Sequence, residues 1–268
     1  MAKSDALLRV VGIGASAGGL EALQQFFKNL PDKTGLAYVV VQHLSPDYKS
    51  MMDELLARHT TMPIVVIRDG TRIETDTVYL IPPRKNLRIF DDKLFLTKQD
   101  PQKGVNLPID IFFILLAEEK KKNAIGIILS GTGSDGTMGT RSIKEMNGIV
   151  MVQDEKSAKF NGMPSSAIST GLVDYILPPE KMGKELQNFL KHPLVRKKDT
   201  NTEREMEKMD ALSKVIMLLK DYSGIDFSYY KENTIHRRLE RRISINRYDN
   251  LEGYIPFLEE SDKEKEIL

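Results

Sequence analysis

Short apolar runs alternate with amphipathic segments over about the first two thirds of the chain. Apolar runs typical of buried strands occur at residues 8–15, 36–41, 64–67, 77–81, 124–129, 148–152 and 173–177, and residues 87–90 and 93–96 predict a hairpin. Apolar positions at helical spacing predict helices at residues 20–30, 50–59, 109–121, 137–146 and 179–191, and Pro164 is expected to open one more at its first position. Strands that alternate with helices predict an α/β fold, a doubly wound and mostly parallel sheet with helices on both faces.

The end of the chain has a different pattern. Residues 192–205 are polar and charged, which predicts a linker. Apolar residues then recur at helical spacing up to a break at residues 221–224, and two further helices are predicted at residues 232–246 and 251–259. We therefore expect an α/β domain over residues 8–191, a linker over residues 192–205 and a small all-α C-terminal domain over residues 206–268.

Composition narrows the class of protein without naming a function. The 268 residues are 41% hydrophobic and 29% charged with a formal net charge of +1, which is ordinary for a soluble globular protein and does not indicate nucleic acid as a partner. The absence of cysteine excludes disulfides, thiolate catalysis and cysteine metal sites, and it fits a reducing cytoplasm. No apolar run approaches the ~20 residues that span a bilayer, no signal peptide is evident at the start, and no two histidines have metal-ligand spacing. We expect a cytoplasmic soluble protein without a metal or cofactor.

Three side chains suited to nucleophilic catalysis, Ser16, His43 and Asp135, each follow a predicted apolar strand. Because the carboxyl ends of parallel strands meet at one edge of a sheet, we expect these side chains to lie close together. A serine hydroxyl becomes a good nucleophile when a histidine removes its proton, and a carboxylate on the other ring nitrogen fixes the histidine tautomer. The backbone N–H groups of Ala17 and Thr132 are the candidate donors to the oxyanion of the transition state.

Other interpretations of these residues stay open at this point. Ser16 could simply cap a helix, His43 could be an ordinary loop histidine, and Asp135 could be a turn residue. The glycine pattern at residues 12–17 also fits a dinucleotide-binding loop. A dinucleotide-binding site needs a carboxylate at the end of the second strand. The residues after position 41 are Gln-His, and the absence of a carboxylate there argues against a dinucleotide-binding site.

Four motifs in order resemble the chemoreceptor glutamate methylesterase family, CheB: residues 12–19 (GIGASAGG), 42–46 (QHLSP), 130–136 (SGTGSDG), and 153–155 (QDE) with 162–164 (GMP). The resemblance implies a parallel α/β fold, hydrolysis of glutamyl methyl esters on receptor helices in chemotaxis signalling, and often deamidation of receptor glutamines. It also implies Ser16 as nucleophile, His43 as base and Asp135 as the partner that orients the base.

Some positions depart from the family pattern. Thr132 replaces the usual methionine, and residues 81–86 (IPPRKN) lack the histidine of the family's Ala-Pro…His loop. Residues 107–110 (LPID) stand where the family has Arg-Pro-Ser-Val-Asp, and no receiver domain precedes residue 8. These departures keep a second function open, a receptor-docking or signalling module with weak or no catalysis.

The C-terminal part, around residues 226–243, is similar to the N-terminal helical domain of CheR-type receptor methyltransferases. Four arginines flank the apolar face of its second helix: Arg237, Arg238, Arg241 and Arg242. They predict either a solvated helix face or a surface that docks acidic receptor helices. The resemblance implies that a catalytic domain binding S-adenosylmethionine would lie beyond Leu268, so this chain would be the front part of an esterase–transferase fusion.

Overall fold

The computed structural model describes residues 8–42, 52–99, 105–191, 205–225, 227 and 232–268. The chain forms two compact units, Met1–Lys184 and Glu185–Leu268. The division falls within a helix at Pro179–Lys191, and residues 192–204 of the predicted linker lie outside the described residues. The domain limits predicted from the sequence therefore stay predictions.

The strands of the first unit are β1 (Arg9–Ala15), β2 (Leu36–Gln42), β3 (Ile64–Val66), β4 (Thr71–Arg72), β5 (Thr77–Leu80), β6 (Lys85–Phe90), β7 (Lys93–Lys98), β8 (Ala124–Ile128), β9 (Ile149–Gln153) and β10 (Tyr175–Leu177). Seven of them form one parallel sheet in the order β10-β9-β8-β1-β2-β5-β3, which confirms the predicted α/β class. β1 lies between β2 and β8, and the strands before β8 in the chain lie on one side of it and the later strands on the other, so the strand order reverses at β1. Ligands of such sheets bind at this switch point, outside the carboxyl ends of the strands.

A small antiparallel sheet, β4-β7-β6, accompanies the main one. The β6–β7 pair is the predicted hairpin, and β4 is too short to predict from its sequence pattern.

The helices of the first unit are α1 (Gly19–Lys28), α2 (Met52–Ala57), α3 (Pro108–Lys120), α4 (Thr137–Glu145), α5 (Gly162–Ile168) and α6 (Pro179–Lys191), which continues into the second unit. The prediction that Pro164 opens its helix was wrong, because α5 begins two residues earlier at Gly162. The first four N–H groups of a helix have no partner within it, so proline is tolerated at the third position as well as at the first.

Helices cover both faces of the main sheet. The rings of Phe26 and Phe27 in α1 pack edge-on against Tyr38 of β2. The residues of β1 and β2 that alternate with those facing α1 belong to the core beneath α3. Because successive side chains of a strand point to opposite faces of the sheet, α3 lies on the face opposite α1. Its Phe113 packs where Gly12 of β1 has no side chain, since a Cβ there would lie 2.9 Å from the ring. Ile109 in the first turn of α3 lies against Gly14, where a Cβ would lie 2.5 Å from the Ile109 Cγ2 atom, so α3 starts near the carboxyl end of β1.

The second unit is helical, as predicted, and contains α7 (Glu205–Ser223), α8 (Glu232–Ile245), α9 (Leu251–Glu260) and α10 (Asp262–Ile267). Its helix α7 ends inside the predicted break, where Gly224 adopts the left-handed φ of 74°. Its core contains Val215, Leu219, Leu239, Ile243, Tyr254 and Leu258. None of the helices in the described ranges combines the length and the apolar character that a membrane crossing requires.

Candidate active site

Ser16 leaves the sheet at the carboxyl end of β1, as the sequence predicts. In the parallel pairing of β1 with β2, Ala15 lies level with Gln42, so the residues that precede Ser16 and His43 share one register position. His43 itself lies outside the described residues, and its role as the base stays a prediction. The structure therefore describes the site from the side of Ser16 and Asp135.

The turn that carries Ser16 is fastened to the loop after β8. The backbone N–H of Ser16 donates to the carbonyl oxygen of Ser130 at 2.9 Å, and the Ser130 hydroxyl donates to the carbonyl oxygen of Ala17 at 2.8 Å. Gly18 precedes α1 in the left-handed conformation, at φ 69°, which turns the chain sharply into the helix. Because the N–H of Ser16 is already bonded, an oxyanion would have to be bound by other donors.

The candidate oxyanion donors border Ser16. A Cβ on Gly131 would lie 2.9 Å from Cβ of Ser16, so the loop after β8 passes directly beside Ser16. The N–H of Gly131 donates to the carbonyl oxygen of Phe160 at 2.9 Å and is thus occupied. The N–H groups of Ala17 and Thr132 donate to none of the residues that the structure describes. Their predicted role as oxyanion donors agrees with this arrangement and stays a prediction.

Asp135 is buried, with 2% of its surface exposed. Its Oδ2 accepts the N–H of Ile109 at 3.0 Å and its Oδ1 accepts the N–H of Asp110 at 2.8 Å. Both donors belong to the first turn of α3, where the helix dipole favours a negative charge. Each carboxylate oxygen has a second lone pair, so Asp135 can still accept the ring N–H of a histidine.

Asp110 is a second buried carboxylate at the site, with 5% of its surface exposed. Its Oδ1 accepts the N–H of Gly139 at 2.7 Å, in the first turn of α4. Burial raises the pKa of Asp110 above the usual aspartate range, the bond from Gly139 acts against this, and the charge of Asp135 adds to the increase. The sequence showed Asp110 only as part of a motif that departs from the family pattern.

Ser130 and Gln153 hold the loop after β8 in place through hydrogen bonds. The side-chain oxygen of Gln153, at the end of β9, accepts the N–H of Ser130 at 2.8 Å. The Ser130 hydroxyl in turn accepts the N–H of Phe160 at 3.0 Å. Both polar residues lie in motifs that the sequence singles out, but their roles depend on contacts between loops distant in sequence.

Phe160 lies at the rim of the site. Its ring is close to Gly18, where a Cβ would lie 3.2 Å from the Phe160 Cδ2 atom. The residue is 41% exposed although both its N–H and its carbonyl oxygen are bonded to the loop after β8. An aromatic ring is thereby held in solvent beside the turn that carries Ser16.

The four arginines of α8 do not form one exposed surface. Arg237 and Arg238 are exposed and Arg241 is partly buried. Arg242 is only 7% exposed and forms a two-pronged ion pair with Glu264, with both N–O distances 2.7 Å. The prediction that Arg242 contacts a partner is therefore corrected, because its guanidinium belongs to the interior of the second unit.

Comparison with known proteins places the chain in a family. The family model described as "CheB methylesterase" matches residues 11–186, and "CheR methyltransferase, all-alpha domain" matches residues 210–268. The crystal structure of the Thermotoga maritima CheB methylesterase catalytic domain superimposes with a TM-score of 0.62 at 32% identity, covering 67% of this chain and 97% of that one.

Curated relatives agree with these matches. A Rhodobacter capsulatus protein called "Uncharacterized 104.1 kDa protein in hypE 3'region" is 34% identical over 77% of this chain. A putative protein-glutamate methylesterase/protein-glutamine glutaminase of Leptospira interrogans is 34% identical over 64% of it, and the Trichodesmium erythraeum protein-glutamate methylesterase/protein-glutamine glutaminase is 30% identical over 67%. The matched regions span 24%, 90% and 52% of these three relatives respectively. The chain belongs to the CheB methylesterase family.

Proposed function

We propose that this chain hydrolyses glutamyl methyl esters on chemoreceptor helices, with Ser16 as the nucleophile. The observation that carries the proposal is the bond from the N–H of Ser16 to the carbonyl oxygen of Ser130, which sets the serine against a loop where the N–H of Thr132 donates to none of the described residues. The site lies at the switch point of the sheet, and relatives that bear the name protein-glutamate methylesterase align with this region. Their names also include glutaminase, which supports hydrolysis of glutamine amides as a second reaction.

The proposed reaction has two halves. The Oγ of Ser16 attacks the ester carbonyl while His43 takes the hydroxyl proton, and the N–H groups of Ala17 and Thr132 bind the oxyanion. Collapse of this intermediate breaks the bond to the methoxy group, which leaves as methanol with the proton from His43. Water, deprotonated by His43, then attacks the acyl-enzyme, which releases the glutamate side chain and restores Ser16.

Asp135 has the setting that this cycle requires of an orienting carboxylate. Two N–H groups at the start of α3 hold its two oxygens in place. An ionised carboxylate stabilises the imidazolium that forms when His43 takes the proton.

Phe160 is the proposed apolar contact for the receptor helix. A methyl-esterified glutamate is carried on a helix, so its neighbours must rest on the rim around Ser16 while the ester reaches the nucleophile. The exposed ring of Phe160 has a fixed backbone and costs little entropy to hold in place.

The second unit supports chemoreceptors as partners, because residues 210–268 match the all-α domain of CheR methyltransferases. Exposed Arg237 and Arg238 are proposed to dock acidic receptor helices, with partly buried Arg241 beside them. Charge reversal at Arg237 and Arg238 should abolish the salt-sensitive part of receptor binding, and unchanged binding would exclude this surface. S-adenosylmethionine is predicted only as the ligand of a methyltransferase catalytic domain that would follow this region, and the cytoplasmic location stays a prediction.

A docking module without catalysis is the second candidate, favoured by the exposed Thr132 in place of the family's methionine. A small fluorophosphonate probe separates the two functions, since it reacts with an activated serine and needs no receptor. The methylesterase proposal expects labelling of Ser16, located by peptide mass spectrometry and absent from Ser16→Ala. A chain that binds a receptor fragment but takes up no probe would support the docking module instead.

A further inference from the structure

Helices α3 and α4 exchange their capping groups. Asp135, just before α4, accepts the N–H groups of Ile109 and Asp110 at the start of α3. Asp110, in the first turn of α3, accepts the N–H of Gly139 at the start of α4. Neither helix receives a side-chain hydrogen bond from its own N-cap residue, Leu107 or Gly136. Each start therefore depends on a carboxylate supplied by the other helix.

The exchange takes place in a tightly packed, buried setting. Both carboxylates are almost fully enclosed, with 2% of Asp135 and 5% of Asp110 exposed. A Cβ on Gly139 would lie 2.3 Å from Cβ of Phe113, so the two helices touch where Gly139 has no side chain. A small shift of α4 relative to α3 would therefore be carried directly to Asp135, four residues before Gly139.

We infer that Asp110 is a positioning residue for the hydrolytic reaction, acting by fixing the carboxylate of Asp135 through the start of α4. The inference rests on the proposed function, in which Asp135 orients the base. The bond from Gly139 to Asp110 and the two bonds from α3 to Asp135 close a ring of contacts around residues 135–139. Without Asp110, that segment loses its hold from the α3 side chain, and only the two backbone N–H groups of α3 still position the orienting carboxylate.

The side-chain oxygen of Asp110 matters more in this arrangement than its charge. Asparagine keeps an oxygen that can accept the N–H of Gly139, whereas alanine keeps none. Asp110→Ala should therefore disturb the position of Asp135, and Asp110→Asn should largely preserve it.

Asp76 offers a matched control for a purely structural loss. Its Oδ1 accepts the N–H groups of Thr34 at 2.6 Å and Gly35 at 2.8 Å. Asp76 directly precedes β5, and Thr34 and Gly35 directly precede β2. The Asp76 carboxylate therefore joins two loops at the amino edge of the sheet, opposite Ser16. Asp76→Ala should lower stability without reaching the site.

The experiment compares the full chain with Asp110→Ala, Asp110→Asn and Asp76→Ala at a temperature where all are folded. We expect Asp110→Ala to lower kcat for methanol release and the rate of fluorophosphonate labelling at Ser16 by about tenfold or more, with KM changed less than about twofold. Asp110→Asn should stay within about threefold of the unmodified chain, and Asp76→Ala should lose thermal stability while keeping kcat.

Several results would overturn the inference. It fails if Asp110→Ala keeps kcat, if Asp110→Asn is as slow as Asp110→Ala, or if Asp76→Ala slows the reaction equally. Asp110→Ser, whose hydroxyl lies one bond short of the carboxylate oxygen, replaces Asp110→Ala if the latter does not fold, and unfolding of both would make Asp110 a folding residue only. An unmodified chain that neither labels nor releases methanol would instead refute the proposed function.

Discussion

Ser130 fastens the turn of Ser16 to the neighbouring loop: its carbonyl oxygen accepts the N–H of Ser16 at 2.9 Å. Its hydroxyl donates to the carbonyl oxygen of Ala17 and accepts the N–H of Phe160. One serine thereby holds the proposed nucleophile Ser16, a candidate oxyanion donor and the rim of the site in a fixed relation. The hydroxyl proton and one lone pair are both used, so the side chain has a positioning role.

Removing the Ser130 hydroxyl should loosen the site without removing any atom of Ser16. Ser130→Ala leaves the carbonyl oxygen of Ala17 and the N–H of Phe160, both in a partly buried setting, without their partner, which costs about 0.5–1.5 kcal/mol of unfolding free energy. We expect kcat for methanol release to fall by about tenfold, because the geometry between Ser16 and the oxyanion donors is less well kept. Urea unfolding and initial rates measure the two effects.

Ser134→Ala is the control for Ser130→Ala, since Ser134 is an exposed serine of the same loop. Ser134→Ala should change the free energy of unfolding and kcat for methanol release by little. Equal effects of the two substitutions would show that the loop tolerates loss of any hydroxyl, and the positioning role of Ser130 would be lost.

Substituting Phe160 should separate receptor binding from chemistry. Phe160→Ala is expected to raise KM for a methyl-esterified receptor fragment by about threefold or more, because an apolar contact outside the reacting bonds is lost. The rate of labelling of Ser16 by a small fluorophosphonate should stay unchanged, since the probe does not reach the rim. Phe90→Ala, which removes a ring that is 68% exposed on β6, should leave both values unaltered. A fall in labelling rate with unchanged KM would contradict this role.

Asp110 should make stability depend on pH. Burial raises its pKa in the folded chain, whereas the unfolded chain has the ordinary value near ~3.9. The bound proton therefore stabilises the folded state fully below the unfolded pKa, and this contribution is lost as pH rises through the folded pKa. Asp110→Asn does not titrate, so its stability relative to the unmodified chain should rise with pH across that window. Urea unfolding of both proteins above pH ~3.5 tests this, and a difference that does not change with pH would refute it.

Arg242 should be essential for the stability of the second unit. Arg242→Ala leaves the buried carboxylate of Glu264 uncompensated, which should cost about 3–5 kcal/mol. Arg237→Ala, on the exposed part of the same helix, should cost less than about 0.5 kcal/mol. Hydrogen exchange at Leu239 and Leu258, followed by mass spectrometry, reports both effects. Similar exchange in the two variants would show that the ion pair contributes little.

The sequence predicted where Ser16 and Asp135 lie because both residues adjoin strong patterns. Ser16 directly follows a continuous apolar run and Asp135 lies in a glycine-rich loop after another, so a parallel sheet places both at one edge. The roles of Asp110 and Ser130 could not be predicted in the same way. The Ser130 hydroxyl bonds to a residue 113 positions away, and Asp110 acts through a helix packed against its own.

The sequence indicates the interior position of Arg242 only weakly. It lies three residues after Leu239 and seven after Ile235, at the edge of the apolar stripe of α8. An arginine at such a position is buried only when a carboxylate faces it. That partner, Glu264, comes from the short helix α10, and no sequence pattern pairs it with Arg242.

The initial rate of methanol release from a methyl-esterified chemoreceptor fragment tests the central claim most directly. It is compared between the unmodified chain, Ser16→Ala and the exposed-serine control Ser134→Ala. The account predicts steady release by the unmodified chain and by Ser134→Ala, and a loss of about a thousandfold or more in Ser16→Ala, with the fold intact by circular dichroism. Release by Ser16→Ala at a rate near that of the unmodified chain would contradict it.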